Sequence, residues 1–341
     1  MMISKKGFSI AIPAYSRVEE FEELLSSIYS MSVFPNEIVI CEDVSKERKE
    51  LAEKAKLWKK KFVEINVDLI YIENEINLGY DANVRKLIEV CSYKWVILIG
   101  NDDLFLKDGI KILNEFTQRN ESIAMISRPF IRFNNDIHNP LGVSRIDNKE
   151  SIYSSKNLTS PKMIFRSCGF VGGLVINRDW ALPFSTNKYD GSLYYQIYLA
   201  CHAFCTEGIG YLAKPTVAGR AGNPPLFGSS LKEETVHIPG SYTVKGRAKM
   251  WKSVLEIAAN VGNQYGIELY KDLKKELTVR QAFHVFEMNV GVGREKLNEL
   301  KNELKNINLY DHIVPKSLYL INYIFGKNAL VFYKFIRKIK Q

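Results

Sequence analysis

Short apolar runs alternate with amphipathic stretches over the first 130 residues of the chain. The apolar runs predict β-strands at residues 8–14, 36–43, 67–73, 94–100 and 121–127. The segments between them carry apolar residues at every third or fourth position, which predicts helices. The run 94–100 is apolar on both faces and is therefore expected in the middle of a sheet. This alternation predicts an α/β fold, with a mostly parallel sheet, helices on both faces and right-handed crossovers.

The pattern changes in the second half of the chain. Residues 130–168 are rich in Asn, Ser and Pro and predict no regular element. Strands are then predicted at 170–180 and 208–220, with a helix between them at 191–204. Residues 244–341 predict helices throughout. We therefore expect a nucleotide-binding and catalytic domain at 1–225 and a helical C-terminal region at 240–341.

The net charge of the chain indicates which classes of binding partner to expect. The chain has 341 residues, 46% of them hydrophobic, and a net charge of +9, which is the balance of a folded protein with a surface that favours anionic partners. Nucleotides, phospholipid head groups and nucleic acid all meet that description. The sequence contains no RNP-like, zinc-finger or helix-turn-helix pattern, so we expect no nucleic-acid partner.

The cysteines and the N-terminal residues indicate the cellular compartment in which the protein is expected. Five cysteines are an odd number, and Cys41 and Cys91 lie inside apolar runs, which suits a reducing cytoplasm. Cys201 and Cys205 have helical spacing, but no further zinc ligands accompany them. The apolar stretch that Pro13 ends is too short for a signal peptide, and no run is long enough for a transmembrane helix.

Acidic residues follow two of the predicted strands. Asp102 and Asp103 come directly after the most apolar run, and Asp43 follows the second strand. The carboxyl ends of parallel strands meet at one edge of a sheet, where α/β proteins bind ligands. Carboxylates there suit Mg²⁺ or Mn²⁺ bridging two phosphates. The alternative is structural, since Asp also favours turns and helix N-termini.

Four segments follow one another along the first 180 residues: "FSIAIPAYSRVEEFEELLSSI", "NEIVICEDVSKE", "NLGYDANVRKLIEVCSYKWVILIGNDD" and "FVGGLVINRDW". Together they resemble the family 2 glycosyltransferases, which have the GT-A fold, and the likeness covers roughly the first 220 residues. The third segment is especially similar to the subgroup of abequosyltransferase-like enzymes of bacterial surface-polysaccharide and O-antigen assembly.

The resemblance implies roles for individual residues. Asp43 matches the acid that contacts the base, and Asp102 and Asp103 match the end of the acidic metal motif, for Mn²⁺ or Mg²⁺. Asp102 is also expected beside the nucleotide-sugar. The other expected nucleotide-sugar contacts are Pro13, Ala14, Tyr15, Arg17, Asn77, Gly79 and Asn83.

The sequence departs from the family pattern in three places. "PAYSR" stands for the usual P-T-Y-N-R, and "EDVS" stands for D-D-G-S. Gly100 and Asn101 stand where many members have an earlier acid, which leaves fewer carboxylates for a metal ion.

An inverting transfer needs a base for the acceptor hydroxyl. Asp190 falls where inverting members place their catalytic acid, and His202 is a weaker substitute. The structural alternative is that Asp190 or Ser192 caps the helix predicted at 191–204.

The C-terminal tail mixes apolar and aromatic residues with Lys334, Arg337, Lys338 and Lys340. Such a helix either lies on an anionic membrane surface or packs on its own domain or on a second subunit of a homodimer.

These observations predict a cytoplasmic glycosyltransferase, peripheral on the inner membrane face if the tail binds lipid. It would transfer a sugar from a nucleotide-diphosphate sugar to a glycan acceptor, expected to be lipid-linked. Two alternatives stay open. One is a catalytically silent scaffold, and the other is a sugar nucleotidyltransferase, for which "IPAYSR" lacks the Gly-rich basic loop.

Overall fold

The structure is a computed structural model that describes residues 4–234, 237–239 and 242–333. The strands are β1 (Lys5–Ala14), β2 (Glu37–Glu42), β3 (Asp68–Glu73), β4 (Tyr93–Leu98), β5 (Leu104–Phe105), β6 (Met125–Ser127), β7 (Phe130–Phe133), β8 (Gly142–Ser144), β9 (Ser151–Tyr153), β10 (Leu174–Asn177), β11 (Ile209–Tyr211) and β12 (Val217–Arg220).

The helices are α1 (Val18–Tyr29), α2 (Arg48–Glu64), α3 (Tyr80–Val90), α4 (Gly109–Arg119), α5 (Lys162–Cys168), α6 (Arg178–Ala181), α7 (Tyr195–Cys205), α8 (Val244–Tyr265), α9 (Leu269–Glu276), α10 (Ala282–Met288), α11 (Arg294–Asn306) and α12 (Ile313–Phe325). A π-helical turn, Leu277–Gln281, joins α9 to α10.

The main sheet has the strand order β3-β2-β1-β4-β10-β6-β11-β9. Strands β3, β2, β1 and β4 are parallel, and β10 runs antiparallel to both β4 and β6. The predicted mostly parallel α/β sheet is therefore confirmed.

Both faces of the sheet are covered because its central strands are apolar on both sides. In β1, Ile10 and Ile12 pack in the same cluster as Phe21 of α1. The intervening Ala11 faces the opposite side and packs in the cluster that contains Val84 of α3. This alternation fixes the register, since a one-residue slip would exchange the two faces.

Residues 130–168 contain more regular structure than the sequence predicts. Strand β7 pairs with β12 and β8, which together with β5 form a second, four-stranded sheet, while β9 completes the main sheet. These strands are only three or four residues long. Such short runs carry no clear periodicity, and pairing with distant strands stabilises them.

The predicted helical C-terminal region is confirmed over the described residues beyond 243. Its helices belong to the same hydrophobic cluster as α5 and α7: Trp251 and Val254 of α8 pack with Ile197 and Phe204 of α7. One continuous core thus joins the C-terminal helices to the sheet, and the division at 225 and 240 stays a prediction. The basic residues Lys334, Arg337, Lys338 and Lys340 lie outside the described residues.

Within the described ranges, no helix has the length and apolar content that a membrane crossing requires. All five cysteines are free and buried.

Candidate active site

One cleft lies at the carboxyl ends of β1, β2 and β4, where the sequence places its acidic residues. The backbone N–H of Asp43 donates to the Ala14 carbonyl (3.1 Å), and the Asn101 side chain donates to the Ser16 carbonyl (2.7 Å). These bonds join the segments that follow the three strands. The resulting cavity has a volume of about 320 Å³. The predicted residues that line it are Pro13, Ala14, Tyr15, Arg17, Asp43, Asn77, Gly79, Asn83, Asp102 and Asp103.

Asp43 holds the segment that enters α3. Its carboxylate accepts hydrogen bonds from the backbone N–H groups of Leu78 (2.8 Å) and Gly79 (2.9 Å) and from Asn74 Nδ2 (2.7 Å). Burial raises the pKa of Asp43 above its ordinary value, and these hydrogen bonds oppose that effect. Asp43 therefore shapes the wall of the cleft as well as lining it.

Asn77 and Asn83 have different surroundings beside Asp43. Asn83 is buried and donates to the Cys41 carbonyl (3.1 Å), which fixes α3 to β2. Asn77 Oδ1 accepts only a local bond, from Gly79 N–H (3.1 Å), within the described residues. The amide group of Asn77 thus remains available to a ligand.

The Asp102 and Asp103 carboxylates face the same space beside Gly100. A Cβ placed on Gly100 would lie 3.1 Å from Asp102 Oδ1 and 3.4 Å from Asp103 Oδ2. Asp102 Oδ2 accepts from the Arg17 guanidinium and from Asn223 Nδ2. Asp103 Oδ1 accepts from the Arg220 N–H (3.0 Å). The two remaining oxygens accept no hydrogen bond from the described residues, so each has lone pairs for a further ligand.

Asp103 is the more deeply placed of the two acids. Burial raises the pKa of Asp103 well above its ordinary value, and the neighbouring Asp102 charge adds to that effect, while the Arg220 N–H bond and Arg128 oppose it. Gly172 permits this position, because a Cβ there would lie 2.3 Å from Asp103 Oδ2. A buried, partly unsatisfied carboxylate beside a second one is an environment that a cation would stabilise.

These residues fit a divalent cation that takes most of its ligands from elsewhere. No group of three or more His, Cys, Asp or Glu side chains in the described part of the chain is arranged to hold a metal ion. Mg²⁺ is commonly bound by one or two carboxylates together with substrate phosphates and water. The free oxygens of Asp102 and Asp103 match that ligand set.

The segment 221–234, which we call the cleft loop, covers one side of the cavity. Arg17 donates to the Pro224 carbonyl as well as to Asp102. Glu233 is buried and accepts from the N–H groups of Tyr80 (2.8 Å) and Gly228 (2.9 Å). Arg17 therefore connects the cleft loop to Asp102, and Glu233 connects it to the start of α3 at Tyr80.

Asp190 does not line the cleft. Its carboxylate is buried and paired with Arg85 and with Lys232 Nζ (3.1 Å). It does not cap α7 either, since the N–H groups of Leu193 and Tyr195 donate to Asp81 (2.8 and 2.9 Å). The role of Asp190 as a base stays a prediction.

His202 lies in the core of the molecule. Its Nδ1 is 3.0 Å from the Tyr265 hydroxyl oxygen, and burial lowers its pKa to about 4. It packs against Phe184 and does not reach the cleft.

Several residues that line the cleft are not among the predicted site residues. Arg220 lies at the start of a segment rich in Gly and Pro, whereas Glu233 and Tyr242 come from segments without periodicity. The unassigned lining residues are Tyr80, Gly100, Asn101, Phe170, Val171, Arg220, Asn223, Pro224, Pro225, Leu226, Phe227, Ser229, Glu233 and Tyr242.

The sequence is similar to a family of known proteins and to individual members of it. Residues 9–175 match the profile of "Glycosyl transferase family 2". The chain is 27% identical over 227 residues to the abequosyltransferase RfbV of Salmonella typhimurium, covering 63% of this chain and 67% of that protein. It is 23% identical to a poly-β-1,6-N-acetyl-D-glucosamine synthase of Staphylococcus epidermidis, covering 68% of this chain and 59% of that protein.

Solved structures share the fold. The S. aureus TarS 1–349 structure in complex with UDP aligns with a TM-score of 0.58 at 14% identity, covering 96% of this chain and 91% of that one. The mannosyltransferase PcManGT from Pyrobaculum calidifontis, solved with GDP-Man and Mn²⁺, aligns with a TM-score of 0.54 at 13% identity, covering 96% and 87%. The GT-A fold that the sequence resemblance implies is thereby confirmed.

Proposed function

We propose, because this chain belongs to glycosyl transferase family 2, that its cleft transfers a sugar from a nucleotide-diphosphate sugar to a glycan acceptor in surface-polysaccharide synthesis. The observation that carries the proposal is the convergence of Asp43, Asp102 and Asp103 in one cavity at the carboxyl ends of parallel strands. Ligand binding at that edge is the general behaviour of open α/β sheets.

The donor would lie along the floor of the cleft. We assign the nucleoside to the side formed by Pro13, Tyr15 and Asp43, and the sugar to the side near Asn77 and Asn83. Gly79 lies between these two residues with a φ of +81°, a conformation that glycine adopts without strain. Arg17 contributes a guanidinium that pairs well with phosphate oxygens once it leaves Asp102.

Asp102 and Asp103 are the proposed ligands of Mn²⁺ or Mg²⁺. When bound, such an ion supplies positive charge that stabilises the leaving nucleoside diphosphate. The chain's own contribution is to hold both free carboxylate oxygens at Gly100 with Asp103 shielded from solvent.

In the transfer itself, an acceptor hydroxyl oxygen bonds to the anomeric carbon as the bond from that carbon to the diphosphate breaks. The diphosphate leaves with the electron pair, and a base takes the hydroxyl proton. From the family resemblance, we propose inversion with Asp190 as that base. Glu233 is the second candidate, because it lines the cleft whereas Asp190 is held by two cations outside it.

Kinetics of two conservative variants would distinguish these bases. If Asp190 is the base, Asp190→Asn should lower kcat by about a hundredfold or more and abolish the acidic limb of the pH–kcat profile. If Glu233 is the base, Glu233→Gln should have these effects instead. The other variant should change KM or stability and keep that limb. If both keep it, neither residue is the base.

We propose that the protein works at the cytoplasmic face of the membrane. Five free, buried cysteines suit a reducing compartment. The exposed face of α12 and the turn after it, which we call the α12 surface, combines apolar side chains with two lysines. Its residues are Ile313, Lys316, Leu320, Ile324, Phe325, Lys327 and Val331. This composition suits contact with anionic lipids and an acceptor that is lipid-linked.

A ligand panel tests the central proposal. Nucleoside diphosphates and their sugars, each with and without Mn²⁺, should raise the thermal unfolding temperature for one base, because ligands that bind only the native state stabilise it. The same sugar nucleotide should release nucleoside diphosphate, and Asp103→Ala should abolish that release while the protein stays folded. Binding without release for every donor would instead support the scaffold alternative.

A further inference from the structure

A second, larger cavity adjoins the cleft. It has a volume of about 810 Å³ and lies between the sheet domain, at β7 and α5, and the C-terminal helices α8 and α10. Five side chains line both cavities, so the two lie next to each other and share a wall. The shared residues are Tyr80, Phe170, Val171, Phe227 and Tyr242.

The wall of the second cavity is rich in aromatic rings. Flat, apolar ring faces with a few polar groups suit ligands that are themselves amphipathic, as sugar rings are. Trp251 and Tyr194 lie at the side of the C-terminal helices and α7. The centroids of the Phe130 and Phe170 rings are 4.1 Å apart, with the ring planes tilted by 31°. The aromatic residues that line it are Tyr80, Phe130, Phe165, Phe170, Tyr194, Phe227, Tyr242 and Trp251.

Four arginines line the same cavity: Arg132, Arg166, Arg247 and Arg280. We call the space the arginine cavity. Among the described residues that line it, Glu287 supplies the one carboxylate.

The charges of these arginines are only partly neutralised. Glu276, just behind the wall, accepts from Arg166 at 2.8 Å and lies 3.9 Å from Arg280 Nε. Neither Arg132 nor Arg247 forms an ion pair with a described residue, and Arg247 lies over the Tyr242 ring, 4.1 Å from its centroid. Counting both glutamates, the described side chains in and just behind the cavity wall keep an excess of positive charge.

We propose, resting on the function proposed above, that the arginine cavity binds the acceptor and that the acceptor is an oligosaccharide carrying a phosphate or carboxylate group. Guanidinium groups pair with both anions in a bidentate geometry. The aromatic rings would contact the sugars, and the shared wall leads the acceptor's terminal hydroxyl toward the donor. A neutral glycan would use the rings and leave the arginine charges uncompensated.

Binding measurements with defined probes test this inference. The probes are tetragalacturonate, which carries carboxylates, maltotetraose, its neutral counterpart of equal length, and farnesyl diphosphate, which presents a lipid-borne diphosphate. Titration calorimetry on the full chain gives each Kd. At least one anionic probe should bind about tenfold or more tightly than maltotetraose, because its charged groups can pair with the guanidinium groups of the cavity.

A charge-matched pair of variants locates the site. Arg132→Gln with Arg280→Gln should weaken the anionic probe about tenfold. Arg119→Gln with Arg294→Gln removes the same charge from exposed positions outside the cavity and should leave its Kd unchanged. Tighter binding of tetragalacturonate assigns the anion to an acidic sugar, and tighter binding of farnesyl diphosphate assigns it to the lipid carrier.

Two results would overturn the inference: no preference for either anionic probe over maltotetraose, or equal losses in the two double variants. Nucleoside diphosphate binding, measured on the same proteins, separates this failure from failure of the proposed function. If the wild-type protein binds nucleoside diphosphate, the proposed donor site is supported even when the acceptor inference fails. If the wild-type protein binds no nucleoside diphosphate, the proposed function itself is wrong.

Discussion

At the scale of single residues, the cleft depends on glycines as much as on acids. Gly172 has no side chain, and that absence lets Asp103 Oδ2 occupy the space where a Cβ would lie. Gly100 likewise leaves room for both free carboxylate oxygens. Their position beside the acids gives these glycines a role in the geometry of the proposed metal site.

Gly172→Ala should therefore displace the Asp103 carboxylate. We expect metal-dependent sugar transfer to fall by about a hundredfold, since a shift of about 1 Å in a reacting group has an effect of that size. Steady-state kinetics with varied Mn²⁺ would measure it.

Gly266→Ala is the control for this substitution. Gly266 ends α8 in a left-handed conformation, and a Cβ added there would have no neighbouring atom within 4 Å. Alanine at this position should lower stability by about 1 kcal/mol and leave the Mn²⁺ dependence as it is. Equal kinetic behaviour of the two variants would contradict the role given to Gly172.

At the scale of secondary-structure elements, α7 is held by a side chain from α3. Asp81 is buried, and its two oxygens accept from the N–H groups of Leu193 and Tyr195 at the start of α7. Neither Asp190 nor a cap within α7 itself serves these groups. The position of α7 relative to the cleft therefore depends on α3.

Asp81→Asn should destabilise this junction, because an amide offers one acceptor oxygen where the carboxylate offers two. We expect the free energy of unfolding to fall by about 1–3 kcal/mol, the cost of a buried polar group left unpaired. Denaturant unfolding would measure it, with the exposed Asp311→Asn as control. A midpoint equal to that of the wild type would argue against this junction.

Helix α7 also carries a pH-sensitive group. Burial lowers the pKa of His202 to about 4 in the folded protein, against an ordinary value of 6.5. The neutral form is therefore favoured by folding, and its contribution is complete above pH 6.5 and is lost as the pH falls from 6.5 toward 4. His237, whose pKa burial also lowers to about 4, acts in the same direction.

His202→Phe should remove this part of the pH dependence. Compared with the wild type, the variant should gain stability as the pH falls from about 7 to about 4.5, by up to about 3 kcal/mol. The difference between the two unfolding curves isolates His202 from His237 and from the buried acids. His138→Gln, at an exposed position, serves as control, and a pH-independent difference for His202→Phe would contradict the assignment.

At the scale of the whole molecule, one hydrophobic core joins the sheet to the C-terminal helices, and the arginine cavity lies along that junction. The α12 surface lies in the same C-terminal region. Leu320 and Ile324 are 53% and 60% exposed there, which is costly for a protein in water unless another surface covers them.

Leu320→Glu with Ile324→Glu should lower binding to anionic phospholipid vesicles by about tenfold, because apolar contact with the bilayer interface is replaced by repulsion. Co-sedimentation with phosphatidylglycerol vesicles would measure the bound fraction. Leu57→Glu with Val63→Glu, at two similarly exposed positions of α2, is the matched control. Equal binding by all three proteins would rule out the α12 surface as the contact.

Hydrophobic periodicity alone predicts the parallel half of the sheet and the acids at its edge. Strands β1 to β4 and their helices have apolar patterns long enough to be recognised, and parallel strands necessarily end at a common edge. Asp43, Asp102 and Asp103 were therefore expected to meet, and they line one cavity.

The surroundings of those acids depend instead on tertiary packing. Strands β7 to β9 are too short to show a period and exist through pairing with distant partners. Glu233 and the four arginines of the second cavity come from segments far apart in the chain, and Asp190 points to Arg85 and Lys232. Side-chain pairs of this kind depend on how elements pack against each other, and local periodicity carries no information about that packing.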